Sequence, residues 1–185
     1  GLLVLINDKD LYQVGNAKDD YMGFSLHPTD SRIFFSSGHP AKGGNIGFQK
    51  TIDSGETWEK ISDGINGPVD FHTMTVSPVN SNIIYGLFSG QIQKSTDGGT
   101  TWMLLDKQPE KIIALVADVA DVKTVYASTQ QGIWMSSDGG ENWESLSTSL
   151  EASIIISMSQ NPKDRNQMLS FSDTLGLASR STTLF

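Results

Sequence analysis

Three features of this 185-residue sequence predict an all-β fold of repeated, four-stranded antiparallel units. A motif of twelve residues recurs along the chain, which indicates an architecture built from copies of one supersecondary unit. Glycine is frequent, at 18 residues, whereas the strong helix formers Ala and Glu number only 8 and 6. The segments between the turn residues are rich in Ile, Val, Ser and Thr, which favours strands. Four strands in each repeat of about 40 to 45 residues are typical of β-propeller blades.

The recurring motif reads Ser/Thr-x-Asp-x-Gly-x-Thr/Asn-Trp, and its three copies align without gaps over residues 47–58, 91–102 and 132–143. The Asp is expected at a hairpin turn, where its carboxylate accepts backbone N–H groups, and the Gly supplies a positive φ. The Trp is expected to begin the returning strand and to bury its ring between adjacent sheets. The residues given these structural roles are Asp53, Gly55, Trp58, Asp97, Gly99, Trp102, Asp138, Gly140 and Trp143.

The motif copies divide the chain into consecutive units. Residues 21–66, 67–108 and 109–150 are expected to form blades with strands A to D from the inside outwards. Residues 1–20 keep an altered copy, with Asn7 and Tyr12 at the Asp and Trp positions, and are expected to supply strands C and D only. Residues 151–185 form an incomplete blade with a last copy starting at Gly176. We therefore predict one propeller domain or part of one, with about four blades and open sheet edges through which chains can associate.

The motif resembles the Asp-box, or BNR, repeat of sialidases, sortilin-type receptors, xyloglucan-cleaving glycosidases and photosystem II assembly factors. Residues 20–25, 37–40 and 67–72 also resemble a group of bacterial exported propellers labelled glycosyl hydrolases. The resemblance implies a propeller fold, an extracytoplasmic location and a function in binding a glycan or protein or in cleaving a glycan. In those families the motif is a turn device that lies away from the active face, so it does not itself imply catalysis.

Composition excludes several classes of function. Lys and Arg number 13 against 21 Asp and Glu, and the formal charge of −8 argues against a nucleic-acid partner. The absence of Cys excludes disulfides, thiolate metal sites and cysteine nucleophiles. The longest apolar run, residues 112–117, is far shorter than the roughly 20 residues of a membrane helix. The apolar first residues lack the basic region and the cleavage site of a signal peptide. No cofactor is expected.

One rim of the predicted propeller collects the polar candidates. Successive strands of a blade are antiparallel, so the B–C and D–A loops share the rim opposite the repeated motif. This rim receives the long glycine-rich loop 36–45 and the Asp-x-His segment 70–72, whose two polar side chains would share one side of an inner strand. The predicted ligand-binding residues are Tyr21, His39, Lys42, Asn45 and His72, and the candidate catalytic carboxylates are Asp20 and Asp70.

Three interpretations of His39, Asp70 and His72 remain open. Ordinary structural hydrogen bonding is preferred, substrate binding or acid–base catalysis comes second, and a metal held by both histidines and a carboxylate comes last, so no metal is expected. A non-catalytic module that binds a protein or a glycan is favoured, because no motif puts a second carboxylate beside Asp70. The alternative is a glycoside hydrolase that uses Asp20 and Asp70 on this rim.

Other tempting residues are expected to be structural. The three arginines, Arg32, Arg165 and Arg180, are placed in turns and strands that do not converge as a sialidase triad would. The motif aspartates lie one per blade, too far apart to share a calcium ion. His27 occupies a turn position. Trp134 is expected to pack between blades, although an exposed indole could stack on a sugar.

Overall fold

The computed structural model describes residues 1–15, 18–146, 154–174 and 177–184, and within these ranges it contains 17 β-strands. They are β1 (Leu2–Ile6), β2 (Asp10–Val14), β3 (Asp20–Leu26), β4 (Phe34–His39), β5 (Phe48–Thr51), β6 (Glu59–Ser62), β7 (Thr73–Val76), β8 (Ile84–Phe88), β9 (Gln91–Ser95), β10 (Met103–Leu104), β11 (Ile112–Ala117), β12 (Val125–Thr129), β13 (Gly132–Ser136), β14 (Glu144–Ser145), β15 (Ile154–Asn161), β16 (Asp164–Thr174) and β17 (Leu177–Leu184). The predicted start of the last unit at residue 151 and of its motif copy at Gly176 lie outside the described residues.

The strands form antiparallel sheets in chain order. Strands β3–β6 make sheet I, β7–β10 make sheet II and β11–β14 make sheet III, each with four strands. Strands β1 and β2 form a hairpin, and β15–β17 form a three-stranded sheet. Helices are absent from the described ranges, which therefore include none able to cross a membrane. This all-β arrangement of four-stranded antiparallel units confirms the predicted fold class.

The first strands of successive sheets, β3, β7, β11 and β15, lie side by side. The hydroxyl groups of Thr73 and Thr75 on β7 accept hydrogen bonds from the backbone N–H groups of Leu115 and Ala117 on β11, each at 3.1 Å. Side chains therefore join these inner strands where one continuous sheet would use backbone pairs. Separate sheets that meet along their inner strands are the blades of a β-propeller.

The hydrophobic core lies between the sheets. Phe48 of sheet I packs in one cluster with Ile84 of sheet II and with Phe71, which precedes β7, and all three are fully buried. Ile92 of sheet II and Val125 of sheet III belong to a second cluster and are also fully buried. Because each cluster draws on two neighbouring sheets, burial of apolar surface fixes the blades against one another.

The three repeated motifs form equivalent turns between the third and fourth strands of sheets I, II and III. In sheet II the Ser95 hydroxyl donates to Asp97 Oδ1 at 2.8 Å and accepts the N–H of Gly99 at 2.8 Å. The Thr101 hydroxyl and N–H donate to the same carboxylate at 2.6 and 2.9 Å. Asp53 and Asp138 make the corresponding bonds. These bonds, led by the one from the side chain four residues after each Asp, lower the three carboxyl pKa values to about 2.

The Gly and Trp of the motif in sheet II pack on residues of the preceding sheet and of the segment before β7. The Trp102 ring packs on Phe48 of sheet I and on Phe71, at centroid distances of 5.2 and 4.9 Å. Its indole N–H donates to the Gly99 carbonyl at 3.0 Å, as that of Trp143 does to Gly140. Gly99 has a φ of 90°, and a Cβ atom at this position would overlap the Phe48 ring. The motif therefore forms the turn and also packs its sheet against the preceding one.

Candidate functional site

Three side chains predicted for the polar rim meet at the junction of sheets I and II, and we call them the rim cluster: His39, Asp70 and His72. His39 ends β4, while Asp70 and His72 lie between β6 and β7. Asp70 Oδ2 is 2.8 Å from His39 Nε2 and 2.7 Å from His72 Nε2. The imidazole rings lie edge to face, with centroids 6.2 Å apart. Two imidazoles from separate elements thus share one carboxylate oxygen.

The segment that carries Asp70 and His72 differs from the inner strand expected for it, because β7 begins only at Thr73. The N–H of Phe71 donates to the Ser37 hydroxyl at 3.0 Å, and that hydroxyl donates to the Val69 carbonyl at 3.3 Å. On both sides of Asp70, hydrogen bonds to the Ser37 side chain of sheet I therefore stand where a strand would make backbone hydrogen bonds. Their effect is to fix the direction in which the Asp70 carboxylate points.

Ser37 is the positioning residue that the sequence-based prediction missed. Its hydroxyl is fully buried on β4 and bonds to backbone groups more than 30 residues away. The only sequence signal for this role was the position of Ser37, two residues before His39. Asn45 supports the same segment by donating from its amide to the Pro68 carbonyl at 2.9 Å. Asn45, predicted to bind a ligand, thus also holds the β6–β7 segment in place.

Burial differs sharply across the rim cluster. The Asp70 side chain is only 5% exposed, whereas those of His39 and His72 are 42% and 63% exposed. Within the described part of the chain, the buried Asp70 Oδ1 has no hydrogen-bond partner. Buried charged groups are normally paired, so this oxygen leaves the carboxylate incompletely compensated.

His39 is oriented by its second ring nitrogen. Nδ1–H donates to the Gly44 carbonyl at 2.9 Å, because a carbonyl oxygen can only accept. This bond is the main reason that the pKa of His39 is raised, and the charges of Asp70 and Asp20 raise it further. In the protonated imidazole both ring nitrogens donate, Nδ1–H to the Gly44 carbonyl and Nε2–H to Asp70 Oδ2.

The remaining predicted residues are not part of the cluster. Asp20 pairs with His39 in the β3–β4 ladder and is exposed. The Tyr21 ring packs on Trp58 with centroids 5.0 Å apart, and burial raises the Tyr21 pKa. Lys42 is exposed in the β4–β5 loop. The structure therefore brings together His39, Asp70 and His72, with Asp20 close enough to act on His39 through its charge.

A concave feature lies between the β10–β11 loop and the outer strands of sheet III, and we call it the indole groove. Its volume is about 470 Å³, and Trp134 and Trp143, both half-buried, line it. The other lining residues are Asp106, Lys107, Gln108, Pro109, Glu110, Gln131 and Asn142. Gln108 has a structural role, because its side-chain amide bonds to the backbone of Ile92 and Gly90. The groove thus joins two indoles to exposed carboxylate and amide groups.

The arginines do not form a triad in the described part of the chain. Arg32 pairs with Asp30 in the β3–β4 turn at 2.9 Å, and Arg165 pairs with Asp118 at 3.3 Å. Arg180 lies on β17, and its side chain is outside the described residues. These pairings support the interpretation of Arg32 and Arg165 as structural residues.

No protein-family model matches the chain. A similar protein is a probable oligoxyloglucan-reducing end-specific xyloglucanase from Neosartorya fischeri, with 26% identity over 138 residues. The match covers 66% of this chain and 17% of the xyloglucanase. The chain therefore spans about a sixth of that relative's length.

Solved structures of β-propellers resemble the chain in fold. The GH74 enzyme of Niastella koreensis matches 82% of this chain and 26% of its own, with a TM-score of 0.69 and 18% identity. The GH74 xyloglucanase of Xanthomonas campestris matches 90% of this chain and 29% of its own, with a TM-score of 0.64 and 13% identity. YCF48 bound to D1 peptide matches 91% and 56%, with a TM-score of 0.62 and 16% identity. At these identities the likeness is one of fold, and it agrees with the propeller architecture.

Proposed function

We propose that this chain is a non-catalytic, glycan-binding region of a propeller, and that the indole groove holds the ligand. The observation that carries the proposal is the pairing of two half-buried indoles, Trp134 and Trp143, with the exposed polar residues Asp106, Glu110 and Gln131. A sugar ring presents apolar C–H faces beside hydroxyl groups. Indole faces suit the former, and carboxylate and amide groups suit the latter.

The comparisons and the motif agree with a glycan as the ligand. The similar proteins include a xyloglucanase and GH74 enzymes. The resemblance of the repeated motif to Asp-box propellers supports the same ligand class, and it supports an extracytoplasmic location, which is part of the proposal. A protein ligand remains the alternative for which YCF48 bound to D1 peptide is the precedent.

Binding is preferred to hydrolysis because of the state of Asp70. A glycosidase needs two carboxyl groups that reach the scissile bond. The Asp70 side chain is 95% buried, and the oxygen beside the imidazoles is already engaged by both. Asp70 is therefore a poor partner for Asp20 in attack on a sugar, which weighs against the hydrolase interpretation.

Isothermal titration calorimetry with xyloglucan and glucan oligosaccharides tests the proposal. Trp134→Ala is expected to weaken binding at least tenfold through loss of an aromatic contact of the kind that anchors ligands. Gln131→Ala and Glu110→Gln change exposed groove residues and should weaken binding without lowering the melting temperature. Tyr12→Ala, which removes an exposed aromatic ring on β2, is the matched control and should bind as the wild type does.

Two results would contradict the proposal. One is the absence of binding to every oligosaccharide by the folded chain, or unchanged affinity in Trp134→Ala, Gln131→Ala and Glu110→Gln alike. The other is release of reducing sugar that disappears in Asp70→Asn, which would establish the hydrolase alternative in place of simple binding.

A further inference from the structure

We propose that the rim cluster binds a divalent first-row transition-metal ion of the Zn²⁺ type through His39, Asp70 and His72. One possible ligand atom from each of the three residues lies within 4.8 Å of the other two, and Nε2 of each histidine faces Asp70 Oδ2. Two imidazole nitrogens and one carboxylate oxygen form a ligand set that Zn²⁺ and its neighbours in the series accept. The inference is independent of glycan binding in the indole groove. It also reverses the order of the interpretations drawn from sequence, in which a metal came last.

The spacing of the three donor atoms is close to that of a coordination shell. Ligands about 2.1 Å from an ion, at tetrahedral angles, lie about 3.4 Å from one another. In the structure Asp70 Oδ2 is 2.8 Å from His39 Nε2 and 2.7 Å from His72 Nε2. Rotation of the imidazoles that moves each Nε2 atom outward by roughly 0.6–0.7 Å would therefore open the space for the ion. Both rings are substantially exposed, so core packing does not oppose this rotation.

The buried carboxylate supplies an independent argument for a cation. Asp70 is 95% buried, and its Oδ1 has no hydrogen-bond partner within the described residues. A buried charge with an unpaired oxygen is costly unless a cation or a hydrogen-bond donor compensates it. A divalent ion held between the carboxylate and the two Nε2 atoms provides that compensation.

A hydrogen bond from its second ring nitrogen orients His39 for metal binding. Its Nδ1–H donates to the Gly44 carbonyl at 2.9 Å, which in the neutral ring leaves the lone pair on Nε2, the atom that faces Asp70. Metal-binding histidines characteristically donate their other ring N–H to such an acceptor. Ser37 bonds to the peptide groups on both sides of Asp70, so the backbone that carries the carboxylate is also held in place. The exposed sides of His39 and His72 leave room for an oxygen ligand from solvent.

Titration of the full chain with Zn²⁺ after treatment with a chelator is the direct test. Calorimetry should give one bound equivalent, and His39→Ala and His72→Ala should each lower the affinity at least tenfold. The third histidine of the chain gives a matched control: His27 accepts the N–H groups of Thr29 and Asp30 in the β3–β4 turn, and His27→Gln should bind Zn²⁺ as the wild type does. Co²⁺ should give visible d–d absorption that Asp70→Asn loses.

Folding and the glycan proposal are controlled separately. His72 is 63% exposed and bonds to Asp70 at 2.7 Å, so His72→Ala is expected to stay folded without added metal, with a melting temperature lowered only by the loss of that bond. Trp134→Ala should keep its affinity for Zn²⁺, which separates failure of one proposal from failure of the other. Absence of saturable Zn²⁺ binding by the folded wild type would overturn the inference. Unchanged affinity in both His39→Ala and His72→Ala would also overturn it, because the metal would then be bound elsewhere.

Discussion

At Gly99 both the backbone conformation and the packing between sheets require a residue without a side chain. Its φ of 90° lies in the left-handed region, and a Cβ atom there would overlap the Phe48 ring of the neighbouring sheet. The adjacent Gly98 also has a positive φ, 75°, but its nearest atom, Asn82 Oδ1, is at 3.5 Å. Comparing the two glycines therefore separates backbone strain from steric overlap.

Gly98→Ala is expected to lower the free energy of unfolding by about 1 kcal/mol, from backbone strain alone. Gly99→Ala should lower it by about 2–4 kcal/mol, because overpacking adds about 1–3 kcal/mol to the strain. Urea denaturation of both variants measures the difference. Gly99→Ala combined with Phe48→Leu should lose less than the sum of the two single changes, since the smaller side chain relieves the overlap. Equal losses for the two alanine variants would show that Phe48 does not restrict this position.

At the scale of the element, the motif turns differ in one useful detail. Thr101 donates a hydroxyl to Asp97 Oδ2 at 2.6 Å, whereas Asn142 donates a side-chain amide to Asp138 Oδ2 at 2.8 Å. A hydroxyl can either donate or accept, but the Asn142 NH₂ group can only donate. The two turns should therefore respond differently when the carboxylate becomes an amide.

Asp138→Asn is expected to lower the melting temperature more than Asp97→Asn does, because Asn142 can offer an acceptor to the new amide only by rotating its own amide. That rotation breaks the bond that Asn142 Oδ1 accepts from Lys107 Nζ at 3.1 Å. In Asp97→Asn, the Thr101 hydroxyl can turn and accept from the new amide. Thermal unfolding followed by circular dichroism measures both changes. The double variant Asp138→Asn with Asn142→Asp restores a donor opposite an acceptor and should recover part of the loss. If both single variants melt at the same temperature, donor–acceptor matching does not distinguish the turns.

For the whole molecule, the motif carboxylates predict how stability depends on pH. The pKa values of Asp53, Asp97 and Asp138 are lowered from 3.8 to about 2, so the fold favours their ionised forms. Their stabilisation is complete above about pH 4 and is lost as the pH falls through about 2. The three turns belong to sheets that share hydrophobic clusters, so we expect the loss to be cooperative.

The urea midpoint should accordingly fall steeply between about pH 4 and pH 2 and change little between about pH 5 and pH 7 through these groups. Asp97→Asn removes one of the three titrating carboxylates and should decline less steeply over the acid range. A urea midpoint that stays constant down to about pH 2 would contradict this account.

The sequence alone determined the fold class, because the signals for it are local. The turn bonds around Asp97 connect residues at most four positions apart, and the repeat shows where each turn recurs. Sequence spacing could not reveal that the Asp70 segment is held by Ser37, which lies on another sheet more than 30 residues earlier. The predicted packing of Trp134 is seen, since its ring packs against the cluster shared by sheets II and III. Sequence spacing could not reveal that the β10–β11 loop lies beside that indole and forms a groove with it.

Only the tertiary structure decided the geometry of the rim cluster. The sequence correctly grouped His39, Asp70 and His72 on one rim, since strand order determines which loops share it. It could not specify that both Nε2 atoms face one oxygen, or that the other oxygen of Asp70 is buried without a partner. Those features depend on side-chain orientation and on burial at the contact between sheets. Neither has a signature in residue spacing, because both arise only when sheets I and II pack together.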